Sequence, residues 1–119
     1  MIFKSQKKLV ILFAQDEVIP DNAKKTFRKE IEEDFKIKKA TLLISGHSDY
    51  PDDLLFAIFK DGKLIAHFRL IGFDWAFSVE KDITQFLKGE KSKGLWTLII
   101  MDCAEEDEAK INYVSLYLT

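Results

Sequence analysis

Apolar residues cluster in short runs of strand length, and those runs set the reading of the whole chain. Lys8 to Gln15 is the first, stopping at Asp16-Glu17. Val18-Ile19-Pro20-Asp21-Asn22 reads as a turn, because Pro presets its φ and Asp and Asn bond their own backbone. Ala40 to Ser45, Leu54 to Phe59, Leu64 to Leu70 and Leu95 to Asp102 are further runs. Asp61-Gly62 between two of them predicts a tight hairpin, since a type I′ turn needs positive φ at both central residues. In Leu95–Asp102 both parities carry apolar residues, as expected of a central strand. Ile111 to Thr119 alternates Tyr113, Ser115 and Tyr117 against Val114, Leu116 and Leu118.

Two stretches read less simply. Phe27, Ile31 and Phe35 recur every four residues, which fits one face of a helix with Asp21 or Asn22 as its N-cap. Those residues and Ile37 also share one parity, which fits a strand. Pattern alone tilts Ala23–Ile37 towards helix. Ile83, Phe86 and Leu87 carry the spacing of one helical turn or an irregular crossover. Seven or eight strands joined by short turns predict an all-β sandwich or jelly roll in a single domain, residues 1–119.

Composition supports one packed core and removes several function classes. A 119-residue chain with 47% hydrophobic residues needs neither metal nor disulfide to fold. Ten phenylalanines predict an aromatic-rich core. A net charge of −2 with Lys and Glu interspersed lacks the basic field that nucleic acid requires. No run reaches the length of a membrane-spanning helix. The apolar run after Lys7-Lys8 is short for a signal sequence, so a complete chain is expected in the cytoplasm. A domain excised from a longer secreted protein would instead be extracellular. A lone cysteine, Cys103, excludes an internal disulfide and reads as an inert small side chain.

Catalytic constellations are missing. His47, Ser48 and Asp49 are consecutive, which prevents a relay triad. Two His and one Cys are too few for zinc, His67 falls in a strand pattern, and the five glycines are scattered. The chain therefore reads as a non-enzyme that requires no cofactor. Acidic loops leave calcium as an open possibility, without EF-hand spacing. Phe73, Trp75 and Phe77 alternate, which predicts three rings on one side, either in the core or as a stacking platform for a ligand such as a sugar.

Several segments together resemble the P domain of kexin-like and furin-like proprotein convertases, which is also attached to bacterial subtilisin-like proteases. Val18-Ile19-Pro20-Asp21-Asn22 looks like its opening turn, and Ile44–His47 followed by Asp53-Leu54 like its strand–His–loop element. Gly94, Trp96, Leu98, Ile100 and Asp102 resemble its G-x-W-x-L-x-V-x-D strand. Asp107, Ile111 and Val114-Ser115-Leu116-Tyr117-Leu118 resemble its final loop and strand, with Ala109 where the family has Gly. The resemblance spans residues 18–119. It implies a jelly-roll, galactose-binding-like β-sandwich with Trp96 as core anchor, and strand rather than helix over Ala23–Ile37. It also implies an accessory role: binding or stabilising a protein partner, often with calcium, for which Asp53, Asp102 and Asp107 are the candidate ligands. A ligand-binding, carbohydrate-type sandwich is the alternative, with Phe73, Trp75 and Phe77 as its surface. A homo-oligomer is compatible with either.

Overall fold

The computed structural model describes residues 8–103 and 108–119. Eight strands carry the fold: β1 (Leu9–Ile19), β2 (Lys24–Ile31), β3 (Ala40–His47), β4 (Leu54–Lys60), β5 (Lys63–Arg69), β6 (Ala76–Asp82), β7 (Gly94–Asp102) and β8 (Ala109–Leu118). One helical turn, α1 (Thr84–Leu87), lies between β6 and β7. The strands form two antiparallel four-stranded sheets, ordered β1-β8-β3-β6 and β2-β7-β4-β5. That order is the jelly roll, in which chain neighbours sit in opposite sheets or at their edges. The expected all-β sandwich is the fold found.

Alternation builds the core. In β3, Ala40, Leu42 and Ile44 face inward; in β7 Trp96, Leu98 and Ile100; in β4 Leu54, Phe56 and Ile58; all are fully buried. The core is more aliphatic than the ten phenylalanines imply. Among the described residues only Phe13, Phe56 and Phe77 lie within it, while Phe27, Phe35, Phe68 and Phe73 seal its margins. Trp96 is the largest buried side chain, and its Nε1–H donates to the Ser92 carbonyl at 2.8 Å.

Ala23–Ile37 is not a helix. β2 pairs in register with β7 from Lys24↔Met101 to Ile31↔Gly94, which places Phe27 and Ile31 on the inner face. Pairing with β7 satisfies the backbone groups of β2 that face it, and together with burial of Phe27 and Ile31 that outweighs a periodicity that three residues can satisfy either way. Beyond β2 the chain ties to the β7 approach. Ser92 accepts the Phe35 N–H through Oγ at 2.9 Å and donates to the Glu33 carbonyl at 2.6 Å, and the Ile37 N–H donates to Glu90 at 2.8 Å.

Four further features differ from the pattern. β1 runs through Asp16-Glu17 to Ile19, so Val18 and Ile19 belong to the strand and the turn begins after them. Phe13 is an extra residue opposite β8, a bulge that buries Phe13 and Ala14 in succession. The C-terminal alternation breaks at Asn112-Tyr113, both exposed between buried Ile111 and Val114, where the pairing with β3 shifts. Ile71 to Trp75 is irregular, and β6 begins only at Ala76.

The Asp61-Gly62 hairpin forms with φ of 50° and 80°, as its turn type demands. Asp61 also reaches across to β7. Its N–H donates to the Leu95 carbonyl at 2.8 Å, and its carboxylate accepts the Leu95 N–H at 2.9 Å. Gly94 makes room for this: its φ is 146°, and a Cβ there would stand 2.7 Å from both Asp61 carboxylate oxygens.

Candidate functional site

The connections β1–β2, β3–β4 and β5–β6 gather at one end of the sandwich with the end of β7 and the start of β8, and most sequence-predicted site residues lie there. β3 and β6 pair up to His47↔Ala76, and the Ser48 N–H extends the ladder by donating to the Trp75 carbonyl at 2.9 Å. This fixes Trp75 beside His47, with ring centroids 5.0 Å apart and planes tilted by 32°. The buried Ser48 hydroxyl accepts the Tyr50 N–H at 3.2 Å, and the Asp53 N–H donates to the Tyr50 carbonyl at 3.0 Å. His47 and Ser48 thus shape a turn and do not form a nucleophile pair.

The three alternating aromatics do not share a side. Trp75 is 55% exposed, Phe73 is half-buried and Phe77 is buried. Phe77 points inward and meets Phe73 edge-on at 6.5 Å. The alternation fails because residues 71–75 are not strand, so their side chains do not obey a period of two. Gly46 helps to seat Phe77, since a Cβ there would collide with the Phe77 ring and the Lys110 carbonyl. What the loop end presents instead is Trp75 with Tyr50, 51% exposed, and Ile71, 82% exposed. The carboxylates of Asp49, Asp52 and Asp74 are exposed around them. Tyr50 and Ile71 escaped the sequence reading, because a loop residue's exposure has no periodic signature.

Asp53 and Asp102 also come to this end. Leu54 pairs with Asp102, and the Cys103 N–H donates to the Asp53 carbonyl at 2.9 Å. Asp102 is buried and closes β7, its N–H donating to Ala23 at 2.9 Å. The third candidate ligand, Asp107, lies outside the described residues. Among the described residues no three His, Cys, Asp or Glu side chains gather closely enough to hold a metal ion. Cys103 is exposed, with the Arg69 guanidinium 3.9 Å from its sulfur. His67 lies on the outward face of β5. No helix among the described residues is long and apolar enough to cross a membrane.

Two carboxylates outside this end are shifted. The Leu95 N–H, and then Lys60, hold the Asp61 carboxyl below its ordinary range. The Thr84 hydroxyl and then its backbone N–H do the same for Asp82 beside α1.

No family model and no curated protein sequence matches the chain. Solved structures do resemble it. The CBM36-1 domain of a multidomain xylanase from the hindgut metagenome of Trinervitermes trinervoides aligns with 12% identity and a TM-score of 0.50, over 92% of this chain and 96% of that domain. Dimeric latent PorU from Porphyromonas gingivalis aligns with 8% identity and a TM-score of 0.62, over 93% of this chain and 12% of its own. A serine protease of Aeromonas sobria aligns with 12% identity and a TM-score of 0.59, over 95% of this chain and 26% of its own. The chain therefore spans almost all of the xylanase domain but only a small part of the other two proteins. At these identities the likeness establishes the fold: a β-sandwich of a kind found as a module within larger proteins.

Proposed function

We propose that the chain is a non-catalytic accessory module, P-domain-like, that binds or stabilises a protein partner through its loop end. The observation that carries this reading is the exposed Trp75, packed against His47, on the same loop end as the exposed Tyr50 and Ile71. Trp and Tyr on a rigid scaffold supply large contact area at little entropic cost, and they dominate binding energy at interfaces. The Ser48–Trp75 backbone bond supplies the rigidity. Similar sandwiches inside two much longer chains, one of them a protease, support an accessory role. The test is capture from native lysate with immobilised protein, followed by size-exclusion of the eluted complex. Wild type is expected to retain a defined partner, and Trp75→Ala to lose it. An inert monomer in both assays would remove the proposal.

A carbohydrate-type ligand is the second reading. One open indole face beside Asp49, Asp52 and Asp74 offers stacking together with acceptors for sugar hydroxyls. The xylanase-domain likeness agrees with it. Silence on a glycan array would exclude this reading while leaving the first intact.

A further inference from the structure

The outward face of the β2-β7-β4-β5 sheet carries a second surface, remote in character from the loop end. Register places its side chains in rows across the four strands. Lys24, Met101, Leu55 and Arg69 form one row; Thr26, Ile99, Ala57 and His67 the next; Arg28, Thr97, Phe59 and Leu64 a third. Their partners of opposite parity, Leu98, Ile100, Phe56 and Ile58, are fully buried in the core, so these rows point away from it. Met101, Ile99, Leu55, Ala57 and Phe59 are partly exposed, and Leu64 is 47% exposed. No element among the described residues covers them. The charges are arranged in relation to this apolar centre: Lys24 and Arg28 stand exposed on the β2 edge, and Arg69, beside the exposed His67, on the β5 edge. Glu30, one row further on, is the carboxylate on the outward face of β2.

From this geometry we infer that the face docks an amphipathic helix of a protein partner, with an apolar stripe flanked on both sides by Asp or Glu. Three interstrand steps of about 4.8 Å separate the cationic edges by about 14 Å. A helix about 10–12 Å wide lies between them with its flanking positions over the two edges. A second copy meeting the same face would set cation against cation, which disfavours it. Nucleic acid would leave the apolar centre uncovered. The inference stands apart from the loop-end reading, because Trp75 takes no part in it.

The test uses two fluorescein-labelled synthetic helical peptides with the same Leu stripe, flanked by Glu in one and by Lys in the other. Fluorescence anisotropy is expected to show binding of the Glu peptide, weakening about tenfold or more at high salt or with the Lys peptide. The doubly substituted Arg28→Glu, Arg69→Glu protein should lose the Glu peptide and gain the Lys peptide. Both positions are exposed, so its thermal midpoint should match that of wild type. Trp75→Ala should bind the Glu peptide unchanged, whatever becomes of the loop-end partner. No binding of the Glu peptide, or equal binding of both peptides, overturns the inference. So does binding to vesicles of anionic lipid in place of peptide, or a concentration-dependent dimer in light scattering that the double substitution abolishes.

Discussion

Replacing Gly94 by alanine perturbs the point where the β4–β5 turn is fastened to β7. Two costs add. A non-glycine residue at φ 146° is held in a region that L side chains rarely adopt, at about 1–3 kcal/mol. The new methyl would also stand 2.7 Å from both Asp61 carboxylate oxygens, and forcing an extra methyl into occupied space costs about 1–3 kcal/mol. The carboxylate can swing outward, so the second cost falls at its lower end, and the sum is about 2–4 kcal/mol. With a urea m-value of about 1.5–2 kcal/mol/M for a chain of this size, the midpoint should fall by about 1–3 M with m unchanged. A double-mutant cycle separates the parts. In an Asp61→Gly background the methyl has nothing to strike, so Gly94→Ala should cost less by about 1 kcal/mol than in wild type. Costs equal within about 0.3 kcal/mol in the two backgrounds would refute the steric part. A Gly94→Ala protein as stable as wild type would refute both.

Other perturbations act at separate places. Trp96→Phe removes the Nε1–H that meets the Ser92 carbonyl and leaves unfilled volume, for a loss of about 1–3 kcal/mol in urea denaturation. Ser92→Ala strips partners from the Phe35 N–H and the Glu33 carbonyl together, and should cost about 1–3 kcal/mol by the same assay. Because the carboxyls of Asp61 and Asp82 titrate below the unfolded value of about 3.9, each contributes stability above that pH that is lost as pH falls through the folded value. The stability gap between wild type and an Asp61→Asn, Asp82→Asn protein should therefore narrow on acidification, and a gap that widens would contradict the assignment. Trp75→Ala should change thermal stability by no more than about 1 kcal/mol, since the ring is exposed, while abolishing capture at the loop end.

The strands that bury one face were legible because alternation is a direct readout of burial. Ala40–Ser45, Leu54–Phe59 and Leu95–Asp102 fall within β3, β4 and β7, and Asp61-Gly62 turns as its chemistry requires. What escaped were features set by pairing across the chain. Phe27, Ile31 and Phe35 satisfy two periods at once, and only the pairing with β7 decides between them. The extra residue at Phe13 and the exposed Asn112-Tyr113 pair are adjustments of one strand to another, invisible from either alone.

The same division holds for the surfaces. The irregular course of residues 71–75 turned an expected row of three rings into one exposed indole, one sealing ring and one core residue. The outward face of β7, by contrast, was written plainly. Apolar residues on both parities of Leu95–Asp102 were explained as a central strand, and the strand is central. Centrality accounts for pairing on both edges, however, and says nothing about why the second face should be apolar. In an antiparallel sheet that face ordinarily meets water and is polar. Ile99 and Met101, continued sideways by Leu55, Ala57 and Phe59, therefore ask for a covering element of their own. With no such element among the described residues, and with Lys24, Arg28, His67 and Arg69 at the edges, the excess of apolar residues in one strand is the feature on which the proposed helical partner rests.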